Sequence, residues 1–277
     1  MLGKLFKHEW KAISKLLLVL HGFILIFAIL SRIFFEASGG FDVATSAGAG
    51  TAVSVIAGLL IFFLMLILFC AAVFTSIYIG YRFYKNVFTE QGYLTHTLPV
   101  TPAQIIVSKG LTGLLWTVID FIVLVVAMLI MFANGDFMSV LLPALGRFFH
   151  YLSALPAFCW IFLIMLLLSP FLTILHLYFC VAVGSLVPNH KILGAIGVYI
   201  ISYVAIQIFS AVVLALTGIG FGVANIDTTG MTGAETMYYL GSLLTPMFLI
   251  ILLCEIIATF VCFFVTKYIM TKKLNLE

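Results

Sequence analysis

The chain has 277 residues, of which 64% are hydrophobic and only 8% charged, and its formal net charge is +3. Soluble domains carry about 25% charged residues, and no aqueous core of this length could hide so much apolar surface. Lipid is the expected solvent, and the slight basic excess does not suggest a nucleic-acid partner.

An apolar run of about 20 residues crosses the hydrocarbon as a helix. In chain order such runs lie at 16–35, 53–81, 105–132, 157–186, 192–216 and 243–265. The expected fold class is an all-α polytopic membrane protein with six transmembrane helices, forming a single domain over 1–277. Several runs exceed the minimum, which implies tilt or helix continuing beyond the bilayer.

The first fifteen residues are basic and patterned. Leu2, Phe6, Trp10, Ile13 and Leu17 recur at helical spacing, while Lys4, His8, Lys11 and Lys15 fill another face. Such a segment either lies in the membrane interface as an amphipathic helix before turning inward, or simply anchors the first span by charge. The apolar run that follows exceeds the 7 to 15 residues of a secretory signal, so retention is expected.

Orientation follows from the cations. With the N-terminus inside, Lys4, Lys7, Lys11, Lys15, Arg82, Lys85, Lys109, Lys191, Lys267, Lys272 and Lys273 are cytoplasmic, and only Arg32 and Arg147 lie outside. That asymmetry is the positive-inside pattern, and it places both termini in the cytoplasm. Arg32 can pair with Glu36 four residues on.

The connection after the second span carries the densest local signals. The second span should continue through Tyr84 and Phe88, Gly92 permits a sharp turn, and Pro99 blocks helix for want of an amide hydrogen. A new helix then begins at Thr101-Pro102-Ala103-Gln104, a capping box with proline at the first helical position. A mixture of Phe88, Tyr93 and Leu98 with Lys85, Glu90 and His96 suits a subunit interface; a hairpin lying on lipid headgroups is the alternative.

The run F-x-E-Q-G-Y-L-x-x-T-L-P-V-T-P-x-Q-x-x-x-S-K, Phe88 to Lys109, resembles the cytoplasmic coupling segment of bacterial type-2 ABC transporter permeases. The six-span plan with an N-terminal interfacial helix is similar to that family as well. The resemblance implies a cytoplasmic coupling helix between spans two and three, around Glu90 to Thr97, that docks on a separate ABC ATPase subunit. The docking residues would be Phe88, Glu90, Gln91, Gly92, Tyr93, His96, Leu98 and Pro99. It further implies a second permease copy or a related permease chain as partner, residence in the bacterial cytoplasmic membrane, and export. No GxxxxGK[ST] pattern occurs, so this chain is not expected to be an enzyme. ATP and Mg would belong to the partner, with no cofactor or metal bound here.

The outer segments differ from one another. Gly39 to Thr51 reads as a flexible loop, Ala133 to Pro156 is amphipathic with Phe137, Phe148, Phe149 and Tyr151 suited to headgroups, and Thr217 to Ser242 is glycine-rich. Family likeness implies partial re-entrant helices in that last stretch. Gly218, Gly220 and Gly222 look like a nucleotide-binding loop but follow no strand.

Inside the spans, Asp120 and Glu255 each cost about 2.5 to 3.5 kcal/mol if charged in lipid, so they should face protein or water. Asp120 shares a stripe with Gly110, Gly113 and Thr117, small residues that let a neighbouring helix approach. Ser169, Thr173, His176 and Cys180 form another, beside a kink expected at Pro170. A substrate path lined by Asp120, Thr173, His176 and Glu255, structural hydrogen bonding, and a proton relay all remain open. His21 and Gln207 read as packing groups.

The five cysteines all fall within spans and suggest neither disulfides nor zinc. No HExxH, GxSxG or paired-acid motif supports an intramembrane enzyme. A scaffold or immunity protein without transport is the other alternative, and the expected cargo of a permease this apolar is a peptide or lipid-like compound.

Overall fold

In hydrocarbon every backbone N–H and C=O must be satisfied within its own segment, so long apolar runs fold as helices. A computed structural model describes residues 2–37, 52–97, 99–151, 155–220 and 230–273. All regular structure among them is helical: α1 (Leu2–Ala37), α2 (Ala52–Val87), α3 (Gln91–His96), α4 (Pro102–Phe132), α5 (Gly135–Tyr151), α6 (Ala157–Gly184), α7 (Lys191–Gly220) and α8 (Gly233–Lys272). Six of these, α1, α2, α4, α6, α7 and α8, are long and apolar enough to cross a membrane. The chain is a multi-pass membrane protein by helix length and composition.

Two expectations about boundaries change. No turn separates the basic amphipathic residues from the first apolar run, since α1 is continuous over 36 residues, roughly 54 Å at 1.5 Å per residue. The glycine-rich stretch 217–242 is partly helical: α7 runs on to Gly220, and α8 starts at Gly233 behind a capping box in which Thr232 and Glu235 bond reciprocally. The expected loop 39–51 and residues 221–229 lie outside the described residues.

The chain divides into two compact units, Met1–Ile79 with Thr112–Phe148, and Gly80–Leu111 with Phe149–Glu277. In the first, Ile24, Ala28 and Phe35 of α1 pack with Leu64, Leu68 and Ala71 of α2 and Ala127 and Met131 of α4. Arg32 pairs with Glu36 as the spacing predicts. It also donates to Met131 O at 2.8 Å and Ala133 O at 3.1 Å, satisfying carbonyls that the end of α4 leaves open. Asn134 then caps α5, its Oδ1 accepting from Phe137 N at 2.7 Å.

In the second unit α6 and α8 run parallel. Phe158 and Phe162 meet Phe248 at 6.2 and 5.9 Å between ring centroids, and Pro156 lies beside Gly241. The turn into α7 is tight, with Gly184 and Gly194 back to back: a Cβ on Gly194 would sit 2.6 Å from Gly184 O. Outward faces stay apolar, as at Ile201, 72% exposed, because lipid removes the penalty that water would impose.

Candidate functional site

The segment after the second span is an elbow pinned by its own hydrogen bonds. Phe88 N donates to Tyr84 O at 2.8 Å as α2 ends, and Gly92 N to Thr89 O at 2.7 Å as α3 begins. Thr95 Oγ1 reaches back to Asn86 O at 2.7 Å, tying the short helix to the end of the long one. The next helix starts as its motif predicts: Thr101 N donates to Gln104 Oε1 at 3.0 Å, and Gln104 N to Thr101 Oγ1 at 3.3 Å.

This folding sorts the residues that the resemblance assigned to docking. Phe88 is 1% exposed, set edge-on against Phe83 at 5.8 Å, whose ring stacks on Tyr178 at 3.9 Å. Gly92 is buried too, so both serve to hold the bend rather than to present a surface. Glu90, Gln91, Tyr93 and Pro99 are exposed. Leu98 and the side chain of His96 lie outside the described residues. Leu94, absent from the predicted set, is 74% exposed beside Tyr93 at 57%. The signal for it was present, because a six-residue helix pinned on one side must show its other apolar residues.

Beside the elbow lies an open cavity of about 620 Å³, lined by Tyr84, Phe88, Thr89 and Glu90 and by residues 189–193 of the turn into α7. Asn189 there adopts φ 66°, the left-handed region that asparagine tolerates better than most residues. A second open cavity of about 760 Å³ lies between the start of α6 and the first turns of α8, with Pro156, Tyr238, Ser242, Thr245 and Pro246 on its walls. Pro246 has no amide hydrogen, so the helix offers no donor to the Ser242 carbonyl.

The intramembrane polar residues fall into separate groups. In the first unit Asp120 meets His21, with Nε2 2.5 Å from Oδ1, and accepts from Thr75 Oγ1 at 3.2 Å. The imidazole Nδ1 donates to Leu17 O at 2.5 Å, which fixes the proton on that nitrogen because a carbonyl only accepts. Trp116, one turn before Asp120, stacks on His21 at 5.7 Å and on Trp10 at 5.0 Å. The histidine read as a packing group is thus the direct partner of the carboxylate; the signal was that a carboxylate in lipid needs a partner, and His21 is an ionisable residue near the start of the first apolar run.

In the second unit His176 Nε2 lies 2.7 Å from Ser202 Oγ, with Cys180 Sγ 3.5 Å from both. Ser202 Oγ also lies 3.1 Å from Tyr199 O, a second acceptor within reach of its hydroxyl. Thr173 is exposed and bonds back to Ser169 O at 2.9 Å. Glu255 Oε2 is buried and has no hydrogen-bond partner among the described residues. Among the described residues no cluster of three or more His, Cys, Asp or Glu could hold a metal.

No protein-family model, curated protein or solved structure matches the chain.

Proposed function

We propose that this chain is the permease subunit of an ATP-driven transporter of the ABC type, exporting amphipathic or hydrophobic cargo such as peptides or lipid-like molecules. The carrying observation is the elbow between α2 and α4. It is pinned by Thr95 to Asn86 and by the Phe88 ring, and it presents Tyr93 and Leu94 outward on a short helix. A rigid segment rooted in two spans can transmit a push on its tip to both of them, as a coupling helix must.

In this reading the elbow is cytoplasmic, as are both termini, and Tyr93 and Leu94 seat in a groove of a separate ATPase that holds ATP and Mg. A second permease copy or a related chain completes the membrane half in a bacterial cytoplasmic membrane. The sequence asymmetry of the basic residues supports that orientation, and the mixed lining of the cavity at Tyr238, Ser242 and Pro246 suits cargo with both polar and apolar parts.

The test is co-expression with a candidate ABC ATPase from the same organism, followed by purification in detergent. Wild type should retain the ATPase stoichiometrically, and Tyr93→Glu/Leu94→Glu should lose it while the permease itself remains folded. Undiminished ATPase retention by that variant would reject the docking role. So would labelling of a Gln91→Cys variant from outside intact cells.

A further inference from the structure

The continuity of α1 places its lysines on a particular face. At about 100° per residue, Lys4, Lys7, Lys11 and Lys15 fall within about 80° of one another around the helix. All four are exposed, and among the described residues no ion pair engages them. Glu9 lies on a different sector.

The same sector, followed along the helix into the apolar run, carries Leu18, Ile26, Ile29 and Ile33, all exposed. Large aliphatic side chains dominate it, with Gly22 the small exception, whereas helix contacts within membranes favour small and polar residues. The opposite sector is closed by Ile13 and Leu17 against Trp116. The lysine stripe therefore continues the face that lipid covers.

We infer that this stripe binds anionic phospholipid headgroups in the leaflet that α1 enters from its N-terminal end. The headgroup layer adds roughly 5 to 8 Å to each side of the hydrocarbon. Lys15 and Lys11 lie roughly 1.5 and 7.5 Å along the axis before Leu16, where the apolar run begins, so both fall within that layer and can extend their ammonium groups along it. Lys7 and Lys4 stand farther out along a continuous helix. Anionic headgroups attract such cations with an energy that falls off within a Debye length, so the contribution grades from Lys15 down to Lys4. The inference does not require an ATPase partner.

The test uses the intact, delipidated chain in neutral detergent, titrated with phosphatidylglycerol or with phosphatidylcholine of identical acyl chains. Bound lipid is counted by native mass spectrometry at low and high ionic strength. Wild type should prefer phosphatidylglycerol, with the preference shrinking at high salt. Lys11→Gln/Lys15→Gln should weaken it by roughly fivefold per lysine removed, Lys11→Arg/Lys15→Arg should keep it, and Lys4→Gln/Lys7→Gln should lose less. Equal retention of the two lipids by wild type would overturn the inference, as would a preference unmoved by salt. A larger loss from the Lys4/Lys7 pair than from Lys11/Lys15 would also overturn it and point to an acidic protein face beyond the headgroups. Should the Lys11/Lys15 glutamine variant fail to insert, the salt response of wild type and the Lys4/Lys7 variant decide.

Discussion

His21 Nε2 and Asp120 Oδ1 lie 2.5 Å apart, joining the first span to α4 by a side-chain hydrogen bond. Asp120→Ala should destabilise the protein by about 1 to 3 kcal/mol, the cost of leaving a buried partner unsatisfied. Combined with His21→Ala, the loss should fall short of the sum by about 0.6 to 1.7 kcal/mol, the range of interhelical hydrogen bonds measured in membranes. Denaturant unfolding in micelles measures the cycle; strictly additive losses would show that the two side chains are not coupled.

Phe88 and Leu94 should separate stability from partner binding. Phe88→Ala opens a cavity beside Phe83 and should cost about 3 to 5 kcal/mol, lowering the thermal midpoint in detergent. Leu94→Ala, at an exposed site, should move stability by less than about 0.5 kcal/mol, and under the docking role proposed above it should weaken ATPase retention. A Leu94 variant as unstable as the Phe88 variant would contradict the elbow geometry.

Gly194→Ala should be poorly tolerated. Its new Cβ would meet the Gly184 carbonyl at 2.6 Å, and backbone cannot step aside as a flexible side chain can, so the expected cost is about 1 to 3 kcal/mol. Gly146→Ala is the control: nothing lies within 4 Å of that position, and removing a helical glycine should stabilise by about 0.5 to 1 kcal/mol. Paired thermal melts should show opposite signs.

The start of α4 depends on two reciprocal bonds, so Thr101→Ala should cost about 1 kcal/mol, whereas Thr101→Ser should retain most of the stability. Hydrogen exchange at the amides of Gln104 and Ile105 should accelerate in the alanine variant alone. Equal exchange in both variants would mean that Pro102 and the following turn hold the helix without the cap.

Much of this architecture was legible in advance, and the errors have a common form. Apolar runs located the helices, and α2 continues to Val87 much as expected, but α1 and α8 extend well past 16–35 and 243–265. Hydropathy marks what lies in hydrocarbon, whereas a helix continues until a cap or turn stops it. Bonds within a few residues were readable from spacing, as at Arg32 with Glu36 and Thr101 with Gln104. Bonds across long separations were not: Arg32 to Met131, His21 to Asp120 and the burial of Phe88 depend on which helix faces meet.

Sequence alone determined that this is a helical, multi-pass membrane protein, because lipid leaves a polar backbone no other partners than its own. Short-range signals likewise settled the capping box at Thr101 and the presence of an elbow, although the bend falls at 88–90 and Gly92 lies within α3. Tertiary structure decided which residues of that elbow are presented, replacing Phe88 with Leu94, and which side chain meets Asp120. Those outcomes depend on the rotation of one helix about its axis against another. That rotation follows from packing summed over the whole contact, a quantity that no local stretch of residues contains.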